Sequence, residues 1–125
     1  MGILSGFMGN ASEVDAEKLE KDLEKILAEG ESIKNAFRLI RDLIVFTDKR
    51  LIMIDKQGVT GKKVEYHSIP YKSISHFSVE TSGHFDLDAE LKIWISSSDT
   101  PIEKEFKKDS NIYEAQKTLA SFVMK

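Results

Sequence analysis

Leu43-Ile44-Val45-Phe46-Thr47-Asp48-Lys49-Arg50-Leu51-Ile52-Met53-Ile54 decides the fold of this chain. Two short runs, Leu43–Phe46 and Arg50–Ile54, are dense in Leu, Ile, Val and Phe, residues that fit a pleated, buried surface. Neither run alternates with polar residues, so both are expected to be central, well-covered strands. Thr47-Asp48-Lys49 between them reads as a tight hairpin turn. The unit at the centre of the pattern is therefore a β-hairpin.

Working outward, five further β-rich runs flank it. Ser32–Ile40 precedes it, with Ile33, Phe37 and Leu39 expected on one face. Lys63–Ile69 follows the loop marked by Gly58 and Gly61; Val64 and Tyr66 alternate with Lys63, Glu65 and His67, which predicts one wet face. Ser73–Glu80 lies between Pro70 and Gly83. Leu87–Ser96 is the longest run and places Leu87, Ala89, Leu91, Ile93 and Ile95 on one side. Ile102–Lys107 is entered through Pro101. In this last run Lys104 shares the parity of Ile102 and Phe106, which allows a bulge, a lysine snorkelling at a barrel rim, or contact with another subunit.

Helical spacing brackets the strands. Over Ser12–Ala28, Leu19, Leu23, Ile26 and Leu27 recur at i, i+4, i+7 and i+8. Ser12 is a suitable N-cap, and Gly30 supplies a left-handed stop. Ser110–Met124 repeats the helical pattern with Ile112, Ala115, Leu119, Phe122 and Val123, capped by Asp109, Ser110 or Asn111. Character changes near Gly30, so residues 1–30 are read as an N-terminal segment and helix, and 31–125 as the β-domain, within one domain overall.

Short connections exclude parallel crossovers, which need a dozen or more residues. The expected fold is thus mainly β: a seven-stranded antiparallel barrel of two packed, orthogonal sheets, which hides its buried face by closing on itself. The C-terminal helix caps an open end.

Composition narrows the function classes. The 41% apolar and 31% charged shares are those of a globular chain, not a disordered one. With no cysteine, disulfides, thiolate metal sites and a thiol nucleophile are excluded. No run approaches the ~20 apolar residues that span a bilayer, and Met1–Met8 lacks the basic start of a secretory signal, so cytoplasmic residence is expected. Gly6 stands where a myristoylation pattern wants Ser or Thr. A net charge of −3 argues against nucleic acid and against an anionic membrane as partners. No hydrolase elbow, P-loop or nucleophile–base pattern accompanies His67 or His76, so no enzyme and no cofactor are expected.

The order of elements, seven strands and then a capping helix, resembles the pleckstrin-homology fold. Particular strings resemble its small bacterial family: Gly9-Asn10-Ala11-Ser12, Leu39-Ile40-Arg41-Asp42, Phe46-Thr47-Asp48-Lys49-Arg50-Leu51, Gly61-Lys62-Lys63-Val64-Glu65-Tyr66, Ile69-Pro70-Tyr71 and Leu91-Lys92-Ile93-Trp94. The resemblance implies the barrel, a bacterial source and a tendency to assemble into rings; it implies no particular ligand. Eukaryotic pleckstrin-homology domains hold inositol phosphates with basic residues between their first two strands. Here that connection, Ile40-Arg41-Asp42, is too short to cradle a head group, which argues against phosphoinositide.

Three sets of residues remain as candidates. Ile3, Leu4, Phe7 and Met8 have no obvious place in a capped barrel and are expected to meet another copy of the chain. Trp94 has outward parity and is expected either beneath the N-terminal helix or in that same contact. A homo-oligomeric binding or scaffold module is the leading expectation, with a ring as its form. The second expectation is a protein or peptide strand bound along the fifth strand and the C-terminal helix, by Ser75, Phe77, Val79, Ile112, Leu119 and Phe122, as related folds do. Peripheral membrane or lipid association is a third reading, weakened by the lack of a basic face. His84, Asp86, Asp88 and Glu90 would share one strand face, but a straight strand spaces oxygen ligands too widely for Ca²⁺ or Mg²⁺, so they are read as a solvated face with no metal. Lys49, Arg50, Lys56, Lys62 and Lys63 are read as turn and solubility residues.

Overall fold

A computed structural model describes residues 16–39, 42–57, 63–81, 88–106 and 112–125. Within them the chain runs α1 (Ala16–Asp22), β1 (Ile33–Arg38), β2 (Leu43–Thr47), β3 (Arg50–Gln57), β4 (Lys63–Pro70), a single 3-10 turn (Tyr71–Ser73), β5 (Ile74–Thr81), β6 (Ala89–Ile95), β7 (Ile102–Phe106) and α2 (Ile112–Val123). The seven strands form two antiparallel meanders, β1-β2-β3-β4 and β5-β6-β7. The barrel expectation stands. Ser12 and the proposed caps of α2 lie outside the described residues.

One core fills the space between the sheets and α2. Phe37, Ile44, Phe46, Leu51, Met53 and Ile69 come from the first sheet, Leu91, Ile93 and Phe106 from the second, and Ile112, Ala115 and Leu119 from α2. Phe37 is its hinge point. Its ring stands edge-on to Phe46 at 6.1 Å and tilted against Phe106 at 6.3 Å, so it touches both sheets.

A second core lies outside the barrel. Leu19 and Leu23, with Ile26 and Leu27 beside them, cover Ile33, Ala36, Val45, Ile52 and Ile54 on the outer face of the first sheet. This explains the unbroken apolar runs of β2 and β3. One parity faces the barrel and the other faces the N-terminal arm. Burying each leucine removes apolar surface worth about 1.5–3 kcal/mol.

Two expectations are corrected. Ile33 does not share a face with Phe37 and Leu39. A register shift between Ile33 and Asn35 turns it to the outer core. The first helix is shorter than its apolar spacing suggests: it ends at Asp22, and the chain continues in turns closed by Ile26 N–H to Leu23 O (2.9 Å) and Leu27 N–H to Leu23 O (3.0 Å). Those turns keep Leu23, Ile26 and Leu27 on one side, so the helical spacing survives without the helix. Gly30 does adopt the left-handed conformation, with φ +81°. No atom lies within 4 Å of where its Cβ would sit, so Gly30→Ala meets only backbone strain. It is expected to cost about 1–2 kcal/mol, measured as a lower urea midpoint with an unchanged slope.

Candidate functional site

The turn that Gly30 makes delivers Glu31 beneath the arm, where only 1% of its side chain is exposed. Arg50 grips it with both arms of its guanidinium: Nε to Oε2 at 2.9 Å and Nη2 to Oε1 at 3.0 Å. The Thr47 hydroxyl donates to Oε2 at 2.6 Å and the Ala28 N–H to Oε1 at 2.8 Å. Arg50 also donates to the Ile26 carbonyl (2.6 Å) and to the Ser68 hydroxyl (2.7 Å). Burial alone would raise the Glu31 carboxyl pKa. The hydrogen bonds from Arg50, Thr47 and Ala28, together with the Arg50 charge, overrule it and hold the group down at about 2, against the ordinary 4.5. Arg50 is therefore not a solvated turn residue. It locks the N-terminal arm to β3 and β4.

At the far end of β3 the barrel has an open cleft of about 370 Å³ lined by Leu39, Asp42, Asp55, Lys56, Glu103, Lys104 and Glu105. The regular β6–β7 register pairs Lys104 with buried Leu91, so there is no bulge at this lysine. It faces inward and reaches Asp42 at 3.2 Å, tying the second sheet to the first at the mouth. Four carboxylates face two lysines in this cleft. Lys49 and Lys63 are exposed elsewhere, and Lys62 lies outside the described residues.

The two sheets differ on their outer faces. On the first, the arm covers β1, β2 and β3 and leaves most of β4 exposed. The second carries His76, Ser78 and Glu80 on β5 opposite Trp94, Lys92 and Glu90 on β6. His76 stacks flat on Trp94, with ring centroids 4.4 Å apart and planes at 16°. The Ser75 hydroxyl donates to the Trp94 carbonyl at 3.1 Å. Trp94 is thus half-exposed under a histidine and far from the covering role of α1, which packs on the other sheet. Glu80, Glu90 and Glu105 line up across the three strands. Of the four residues weighed for metal, His84 and Asp86 lie outside the described residues. Among the described residues no group of His, Asp and Glu is placed to hold a metal ion.

β5 pairs only with β6 among the described residues, which leaves its other edge beside α2. A register shift between Ile74 and His76 takes Ser75 off the inner face, so it does not line this groove with Phe77 and Val79. Ile112 and Leu119 lie in the core, out of a ligand's reach. Phe77, Val79, Phe122 and Val123 remain partly exposed at the core's margin. Phe122 stacks on Tyr71 at 4.6 Å, and the Tyr71 hydroxyl donates to the Thr47 carbonyl at 2.7 Å. Burial, then the charges of Asp48 and Glu31, push the Tyr71 phenol upward, so it stays a donor. Ile3, Leu4, Phe7 and Met8 lie outside the described residues. No helix among those described is long and apolar enough to cross a membrane.

Comparison with known proteins supplies the context for this geometry. The sequence model of one family, described as Bacterial PH domain, matches residues 2–123. The uncharacterised protein YjqA of Bacillus subtilis is 60% identical over 125 residues, covering 99% of this chain and all of that protein. The crystal structure of a pleckstrin homology domain from Shewanella amazonensis is 57% identical, spans 98% of both chains and superposes with a TM-score of 0.83. A protein with such a domain from Shewanella loihica is 56% identical over 92% of this chain and 98% of its own, with a TM-score of 0.82.

Proposed function

We propose, from the premise that this chain belongs to the bacterial PH domain family, that it is a non-catalytic binding module that works as a homo-oligomer. One observation carries the reading. The arm covers the outer face of β1, β2 and β3, whereas among the described residues no element covers the outer face of the second sheet, which bears a half-exposed Trp94. A tryptophan held flat by its neighbour and open on one side is the kind of anchor that protein interfaces use.

Light scattering at micromolar concentration is expected to give a mass several times the 14.2 kDa of one chain. A mass of one chain would overturn the oligomeric reading. Trp94→Ala is expected to weaken self-association about tenfold or more, with little change in melting temperature.

The mouth of the barrel supports a protein partner over a lipid head group. Its four carboxylates repel phosphate, and its inward lysine is already paired with Asp42. A second reading, recognition of a peptide strand, is favoured by the outer edge of β5, which pairs with no strand among the described residues and carries Phe77 and Val79, with Phe122 of α2 packed on the same core.

A further inference from the structure

We infer that the β5 edge takes an extended segment of a partner protein, antiparallel to β5, with apolar residues at alternate positions and Lys or Arg in its N-terminal half. This rests on the peptide-strand reading above and names the chemistry of the partner. A sheet edge presents N–H and C=O groups that an added strand satisfies, and the strand's alternate side chains then fall on one side. On that side Phe77 and Val79 stand at the margin of the core, with Phe122 and Val123 of α2 among the residues packed there. Helix α2 packs on β5 and on the turn before it, which sets these apolar residues along one side of the edge.

Charge sets the direction. At the C-terminal end of β5 lies a cleft of about 460 Å³ lined by Glu80, Thr81, Asp88, Ala89, Glu90 and Glu105. Four of those six are carboxylates and none is a cation. Like charges placed directly opposite across strands cost stability, and the register sets Glu80 against Glu90 and Glu90 against Glu105. Lys92 reaches Glu90 only at 3.9 Å. Two lysines stand near the other end of β5. Lys72 sits in the turn that leads into it, and Lys125 lies over the Phe122 ring, 5.6 Å from its centroid. An antiparallel strand puts its N-terminal half at the carboxylates and its C-terminal half at the lysines. Lysine or arginine in that first half answers Glu80, the carboxylate of that row which stands on β5 itself.

The test pans the full chain against a phage library of random peptides long enough to span β5. The expected winners alternate apolar residues and carry Lys or Arg in their first half. A synthetic copy of one winner is expected to shift the backbone amide resonances of residues 74–81 and 112–123. Glu80→Lys should weaken it about fivefold or more with a melting temperature no lower than the parent's, since it also relieves the Glu80–Glu90 repulsion. Winners that shift other regions and ignore Glu80→Lys would overturn the β5 assignment and leave peptide recognition standing. A library that yields no winner overturns both. Neither outcome touches the light-scattering test of self-association.

Discussion

Arg50→Ala is expected to lower the stability of the fold by about 3–5 kcal/mol, the cost of stranding one partner of a buried ion pair. The substitution deletes both guanidinium contacts to Glu31 and leaves its carboxylate with the Thr47 hydroxyl and the Ala28 N–H alone. It also removes the donor to the Ile26 carbonyl, so the arm loses its own link to the sheet. Arg50→Lys should recover only part of the loss, because an ammonium cannot reproduce a two-pronged grip.

The same pair dictates an acid limb. Glu31 is held at about 2, below its ordinary 4.5. A depressed carboxyl contributes stability that is complete above the unfolded value and disappears as pH falls through the folded one. The intact protein is therefore expected to lose about 3 kcal/mol between roughly pH 4.5 and pH 2 from this group. Arg50→Ala should flatten that limb. Urea unfolding at a series of pH values measures both effects. An Arg50→Ala protein as stable as the parent at pH 7 would show that the clamp contributes nothing.

Phe37→Ala is the second large effect, about 3–5 kcal/mol for emptying a fully buried aromatic site. Phe37 touches Phe46 in its own sheet and Phe106 in the other, so the cavity opens where the two sheets are joined. The melting temperature should fall by roughly 10–20 °C. Phe37→Leu should cost less, since it keeps most of the volume. Trp94→Ala is expected to provide the contrast, weakening the proposed self-association and leaving the core intact. A thermal scan of Phe37→Ala within a degree or two of the parent would contradict the inter-sheet role given to this ring.

Much of the barrel was legible in sequence because its signals are local. Seven runs, their short connections and the spacing of Ile112, Ala115 and Leu119 each depend on near neighbours. The uniform apolarity of Leu43–Phe46 and Leu51–Ile54 already implied cover on both faces. Its source, the N-terminal arm, was not readable, because nothing in a strand states what lies above it. Ile33 was misplaced because a bulge reverses parity without changing composition. The first helix was overextended because a run of turns can keep Leu23, Ile26 and Leu27 aligned. The Glu31–Arg50 clamp has no spacing signature at all, being a pair nineteen residues apart. A polar trio, Glu31, Thr47 and Arg50, bordering strands with no exposed face was the one available hint. Lys104 was readable as an anomaly, but its partner Asp42 emerged only from the fold.

The arm has a bearing on how the protein is made. Ribosomes deliver it before the hairpin it covers, so the segment that will seal Val45, Ile52 and Ile54 is already present when those strands emerge. The two hairpin runs combine high β-propensity with almost no charge, the composition that stacks into fibrils when left bare. A chain cut to begin at Glu31 would offer that stripe to every neighbouring copy. The described part of the arm, residues 16–30, thus shields the domain from its own copies, and losing it should show as inclusion bodies as well as a weaker barrel.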